Sequence, residues 1–191
     1  YGVEVVVGEE VSTADGHLIG LFMEEFVPPG RPAVDTIAAI RAQGGLCVAP
    51  HPYDWAVRAL GQTGLRTHCA GPRAGFWQLD AIEVFNASLS WPRGGCNRMA
   101  ERVARELGMP MVGGSDAHSL ATIGRGYTRF AGRSADDLYR ALQAGNVSWG
   151  GECWSLAHYL DVSWMSVRQR NVWGAIKLAC CELPIVRRLP M

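Results

Sequence analysis

The stretch from Met109 to His118 restricts the possible folds more than any other. The apolar run Met109 to Val112 reads as a buried strand that stops at a glycine turn, Gly113-Gly114. Asp116 and His118 follow, two residues apart. Just past a strand end, both side chains can point into one pocket. Carboxylate oxygen with imidazole nitrogen is a ligand pair that suits zinc or manganese. A capped turn with a surface histidine would use the same residues, so the pair gains meaning only from company elsewhere in the chain.

That company recurs at other strand ends. Val3 to Val7 is β-branched and reads as a strand running into Gly8-Glu9-Glu10-Val11-Ser12-Thr13. Glu9 and Glu10 alternate in direction along an extended backbone, so one of them faces inward. Ala14-Asp15-Gly16 signals a turn, and His17 opens a second short strand, Leu18 to Phe22. The two strands form a hairpin-like pair with an acid and a histidine able to converge. Phe26 to Arg31 is a connector, and Pro32 suits the first turn of a helix carrying Val34, Ile37, Ala38 and Ile40. Gly44 fits the position after that helix. Leu46 to Ala49 is a buried strand ending at Pro50-His51-Pro52, where two prolines stiffen the histidine's backbone. Helix, glycine, strand and functional loop together read as a β/α repeat unit.

Tyr53 to Gln78 has the composition of a long loop, a lid or substrate-binding element, with a possible short helix at Asp54 to Leu60. Asp80 to Phe85 is a further strand. It is followed by Asn86, which can orient a ligand or cap the next turn. Asn97 has the character of an N-cap for a helix with Met99, Ala100, Val103, Ala104 and Leu107 on one face and Gly108 at its end. Ile123 to Thr128 returns the chain through a glycine turn and carries Arg125, a candidate phosphate contact. Ser134 to Asp137 resembles a capping box opening a helix that ends at Gly145, and Val147 to Trp149 is a last strand.

From Gly150 the character changes. Trp154, Trp164 and Trp173 occur with Arg168, Arg170, Lys177, Arg187 and Arg188. We read residues 151–191 as a basic, tryptophan-rich helical tail packing on the preceding domain or on a partner. The length of 191 residues suffices for one domain with a sizeable core. Eighteen basic side chains balance eighteen acidic ones, so no global field attracts nucleic acid. The six cysteines show no Cys-x-x-Cys spacing, which suggests reduced thiols and a cytoplasmic protein. No apolar run is long enough to span a bilayer. The first residue is Tyr1, within a strand-like run, which suggests a longer gene product.

Glu10, His17, His51, Asp116 and His118 therefore all lie at or beside strand ends, an arrangement that argues for an α/β barrel with metal at its mouth. In this arrangement the chain resembles the PHP (polymerase and histidinol phosphatase) family. Gly8-Glu9-Glu10 matches the family's Gly-x-Glu motif, Gly16-His17-Leu18 its mid-chain histidine, Pro50-His51-Pro52 its His-Pro motif and Ser115-Asp116-Ala117-His118 its Ser-Asp-Ala-His run. Ile82 to Asn86 and Ile123 to Thr128 also resemble family segments. The likeness covers residues 1–150, read as the C-terminal part of a PHP barrel domain.

The resemblance implies a distorted (β/α)7 barrel, incomplete on its N-terminal side, and a cluster of up to three divalent ions, zinc, manganese or iron. It implies that Glu10 bridges two metals, that His17 and His51 complete one site, that Asp116 joins Glu10 on a second, and that His118 serves a third. The family's His-x-His and Asp-His motifs do not occur in this chain. On the resemblance, two of the three sites draw most of their ligands from upstream sequence, this stretch alone is inactive, and its barrel has an unpaired edge. The implied activity is phosphoester hydrolysis of a small phosphorylated metabolite by a metal-bound hydroxide. Glu10 and Asp116 hold the metals, and Arg125 is placed on a non-bridging oxygen. A missing N-terminal segment or a second copy of the chain, as a homo-oligomer, is a candidate partner. A non-catalytic PHP-like interaction module is the alternative, and a barrel hydrolase of C–N bonds ranks third.

Overall fold

The computed structural model describes residues 2–69, 78–90 and 93–168. Its centre is a five-stranded sheet in the order β1 (Gly8–Ser12), β2 (His17–Leu21), β3 (Leu46–Ala49), β4 (Ala81–Asn86) and β5 (Met111–Gly114). β1 and β2 form the hairpin that the turn signal implied, with Glu10 opposite Ile19 and Ser12 opposite His17. β2 pairs with β3 antiparallel, whereas β3–β4 and β4–β5 are parallel. The strand–helix–strand passage through α1 (Ala33–Ala42) is therefore not a parallel repeat unit, and only the last three strands follow that pattern.

Burial follows from position in the sheet. Every residue of β3 and β4 is buried, as parallel interior strands covered on both faces require. Cys47, Ala49, Ile82 and Val84 point to one face, where α1 and α3 (Gly94–Leu107) supply Ile37, Ile40, Ala100, Val103 and Ala104. Leu46, Val48 and Ala81 point to the other, against Leu142 of α4 (Ala135–Ala144) and Val112 of β5. Glu83 shares that second face by alternation, an acid on an otherwise apolar strand.

A separate antiparallel pair, β6 (Gly126–Phe130) with β7 (Val147–Gly151), lies beside β5. The Thr128 hydroxyl bonds Gly113 N at 3.1 Å and Gly113 O at 3.0 Å, and Ser115 Oγ donates to Gly126 O at 2.8 Å. These contacts fasten the pair to β5 without extending the ladder. The fold is mixed α/β with a parallel sheet, and among the described residues no sheet closes into a barrel.

Several local expectations are met. α4 opens with a Ser134–Asp137 capping box and closes at left-handed Gly145. Gly108 ends α3 at φ 65°. Gly44, at φ 79°, follows the Gln43 C-cap of α1. Others are corrected. Val3, Val5 and Val7 stand exposed in non-regular chain, and the strand begins at Gly8, because it is there that the backbone finds β2 as a partner. Asp54–Leu60 is turn, and the helix, α2, lies at Gly61–Cys69 with Leu65 inward. Asp54 takes the Ala56 N–H, a side-chain turn that competes with helix. Asn97 sits inside α3, where its amide brackets the Asn86 backbone, accepting from N at 3.1 Å and donating to O at 3.0 Å.

The tail begins with α5 (Leu156–Arg168). Trp154, Tyr159 and Val162 pack on Phe85 and Ala87 at the end of β4, while Trp164 is exposed. Trp173, Arg170, Lys177, Arg187, Arg188, Cys180 and Cys181, and residues 70–77 of the long loop, lie outside the described residues. The four described cysteines are free. No described helix is long and apolar enough to cross a membrane.

Candidate metal site

The β1–β2 hairpin and the loop after β3 bring Glu10, His17 and His51 together. The alternation of β1 decides the earlier choice between acids: Glu10 faces the histidines, while Glu9 accepts the Val27 N–H at 3.0 Å on the opposite side. Glu10 Oε1 lies 2.8 Å from His17 Nδ1 and 3.1 Å from His51 Nε2. One candidate ligand atom from each residue falls within 4.8 Å of the other two. His17 Nδ1 is buried, and its approach to Glu10 lacks the alignment of an N–H donor. Among the described residues His51 Nδ1, also buried, has no hydrogen-bond partner. A buried imidazole nitrogen beside a carboxylate but not bonded along its N–H direction fits a shared cation better than a closed hydrogen bond.

The three groups are also coupled electrostatically. The His17 and then the His51 contacts hold the Glu10 carboxyl well below the usual carboxylate range. Burial works against a charged His51, but the Glu10 bond and the Glu83 and Asp116 charges outweigh it and raise its pKa to about 9. His51 has φ 27° and Asp116 φ 49°, left-handed conformations uncommon for side-chain-bearing residues. Such backbone persists where its surroundings hold it, often at functional sites. For His51 the holder is Glu83, whose Oε2 accepts the His51 N–H at 2.7 Å.

Glu83 had no assigned role in the sequence, although an acid inside Ala81-Ile82-Glu83-Val84-Phe85-Asn86 was its signal. It also accepts from Asn86 Nδ2 at 3.0 Å, and a bulge in the β4–β5 pairing lies between Glu83 and Phe85. Burial pushes its carboxyl up to about 7 against the pull of His51 and Asn86. An acid with a raised folded-state pKa contributes stability at low pH. That contribution is lost as pH climbs from the ordinary value of 4.5 through about 7. Glu83→Gln is expected to flatten this slope, so that metal-free wild type loses about 1–3 kcal/mol relative to the variant between about pH 5 and pH 8. Denaturant melts at the two ends measure it, and parallel pH profiles would show that burial does not penalise the Glu83 anion.

Asp116 and His118 line the same cleft, a cavity of about 350 Å³ that also contains the triad. Ser88 Oγ donates to Asp116 Oδ2 at 2.9 Å, and Asn86 Nδ2 lies 3.4 Å from it. Asn86 caps the turn as expected, its Oδ1 accepting the Ser88 N–H. His118 is more exposed, with Nδ1 2.7 Å from the Asp116 carbonyl oxygen. Neither residue joins the tight triad. Arg125 pairs with Glu152 at 2.9 Å and is not among the residues lining the cleft.

Residues 94–147 match the family model described as PHP-associated. The match covers less than a third of the chain. The uncharacterized protein MJ1587 of Methanocaldococcus jannaschii is 45% identical over 87 residues, 46% of this chain and 45% of that protein. The uncharacterized protein MJ0417 of the same organism is 29% identical over 126 residues, 66% of this chain and 51% of that protein. The chain thus spans about half the length of these relatives. A two-domain protein from Bacteroides vulgatus, described as containing a predicted PHP-like metal-dependent phosphoesterase, superposes with TM-score 0.59 at 20% identity, covering 79% of this chain and 46% of its own. PsfC from Pseudomonas syringae gives TM-score 0.55 at 18% identity over 87% of this chain and 65% of its own. These two likenesses show a shared α/β fold and nothing finer.

Proposed function

We propose that the protein is a metal-dependent phosphoesterase acting on a small phosphomonoester. The observation that carries this reading is the convergence of Glu10, His17 and His51 in one cleft with Asp116. Glu10, His17 and His51 would hold one divalent ion, zinc, manganese or iron. Asp116 and His118 would contribute to others, up to three in the complete domain. Bound there, such ions supply Lewis acidity and a water of lowered pKa. The chain's own residues set the geometry. Glu83 holds the His51 backbone, and Ser88 and Asn86 aim the Asp116 carboxylate. Trp154 and Tyr159 wall the cleft, and Trp154 Nε1 donates to Ser115 O at 3.2 Å, tying that wall to the Asp116 loop.

Phosphate release from a panel of phosphomonoesters, with each divalent ion added in turn, tests the reading in the full-length protein. Asp116→Ala is expected to lower kcat/KM by about 100-fold or more, since even partners one shell further from a metal are worth roughly 10–100-fold. A metal-loaded protein inert across the panel would favour instead a PHP-like interaction module without catalysis. That alternative draws on the separation of Asp116 and His118 from the tight triad.

A further inference from the structure

A buried ion pair in the wall of the cleft has no part in the reading above. Arg93 and Asp54 are 8% and 4% exposed, and Arg93 Nη1 donates to Asp54 Oδ2 at 3.0 Å. Burying two charges costs desolvation that mutual attraction repays only in part, and an apolar pair of similar volume often serves stability as well. Stability alone is therefore a weak reason for this pair.

Each partner belongs to a different ligand-bearing loop. Asp54 is part of the His51 loop. Its N–H donates to the His51 carbonyl at 2.9 Å, and its Oδ1 accepts the Ala56 N–H at 2.9 Å. His51 has left-handed φ 27°, and both ends of its backbone are held, the N–H by Glu83 and the carbonyl by Asp54. Arg93 reaches the other loop. Its Nη2 donates to the Ser88 carbonyl at 3.2 Å, and the Ser88 hydroxyl donates to Asp116 Oδ2 at 2.9 Å. A path of hydrogen bonds thus runs from His51 through Asp54, Arg93 and Ser88 to Asp116. Within it, the planar guanidinium holds two acceptors in one fixed orientation, which a flexible ammonium does not.

We propose that Asp54 and Arg93 are positioning residues whose ion pair sets the separation between His51, in the triad, and Asp116, so that ions can be held at both places together. The inference rests on the metal-dependent reading and adds to it what couples the two groups of ligands. The test titrates manganese alone into the metal-free, full-length protein by calorimetry, beside the melting temperature of the metal-free forms. The double variant Arg93→Met/Asp54→Leu strands no buried charge, and it keeps the residue 54 N–H on the His51 carbonyl because that bond is backbone. Asp54→Asn, of nearly the same shape, is the milder second variant. In both, the first ion is expected to bind within about threefold of wild type, because the triad and the Glu83 contact are untouched, while the next binds roughly 10- to 100-fold more weakly, the usual effect of losing an outer partner of a ligand. Wild-type binding of both ions in the two variants would overturn the proposal and leave the phosphoesterase reading intact. An equal loss of all ions with a lowered melting temperature would overturn it too, by making the pair a determinant of stability. A wild type that takes up a single ion would overturn the proposal alone, and one that takes up none would overturn the metal reading with it.

Discussion

Glu10→Gln is expected to strip the triad of its metal. Oε1 of Glu10 is the atom that both imidazoles approach, so the substitution acts at the centre of the site. Replacing the carboxylate with an amide removes a full negative charge and leaves a single weak oxygen donor. It also leaves the two imidazoles without the shared carboxylate oxygen that they both approach. Metal affinity at the triad should fall by at least about 100-fold, and phosphate release with it. The fold should survive, because the Glu10 side chain is 41% exposed and sits on the outer strand of the sheet. Metal content after dialysis, read by mass spectrometry beside a circular dichroism spectrum, gives the answer. A variant that keeps tight, stoichiometric metal at this position would remove Glu10 from the ligand set.

Gly126→Ala is expected to destabilise the fold by about 3 kcal/mol. A Cβ at this position would overlap the Gly114 carbonyl oxygen, and it would stand 2.5 Å from the Gly114 carbonyl carbon and 3.2 Å from Ser115 N. These are backbone atoms, so no rotamer change relieves the collision, and β6 must move off β5. The movement breaks the Ser115–Gly126 hydrogen bond at the start of the Asp116 loop. Activity should therefore fall together with stability. Gly124→Ala is the contrast: Gly124 has φ 76° but nothing within 4 Å of a built Cβ, so its cost is the backbone strain of about 1–2 kcal/mol. Urea denaturation of the two variants separates collision from strain, and equal losses would show that the β5–β6 junction yields easily.

Much of the site was legible because its residues follow local rules. Strand runs that lead to His51 and Asp116 can be read from apolar periodicity, and the turn at Ala14-Asp15-Gly16 folds the hairpin that brings His17 to the same strand as Glu10's partner, Ile19. The capping box at Ser134 and the left-handed Gly108 and Gly145 are equally local, since each concerns hydrogen bonds within a few residues. Arg93, Asp54 and Glu83 were not legible in this way. Their partners are 32 to 39 residues distant, and no spacing rule connects them. The helix that forms at Gly61 instead of Asp54 has the same cause: Asp54 is engaged with buried Arg93 and the His51 loop.

The amino-acid sequence by itself determined the β3 strand, the capping box of α4, the closing glycines of α3 and α4, and the candidate metal-holding side chains, because these depend on neighbours along the chain. Only the tertiary structure decided which of them meet. It chose Glu10 over Glu9 through the facing of β1, set Asp116 and His118 apart from the triad, and turned Arg125 to Glu152. It also left the sheet open among the described residues, with β6–β7 fastened to β5 by side chains and not by a closing ladder. The physical reason is that convergence in space and closure of a sheet are set by long-range pairing, which short-range periodicity does not encode.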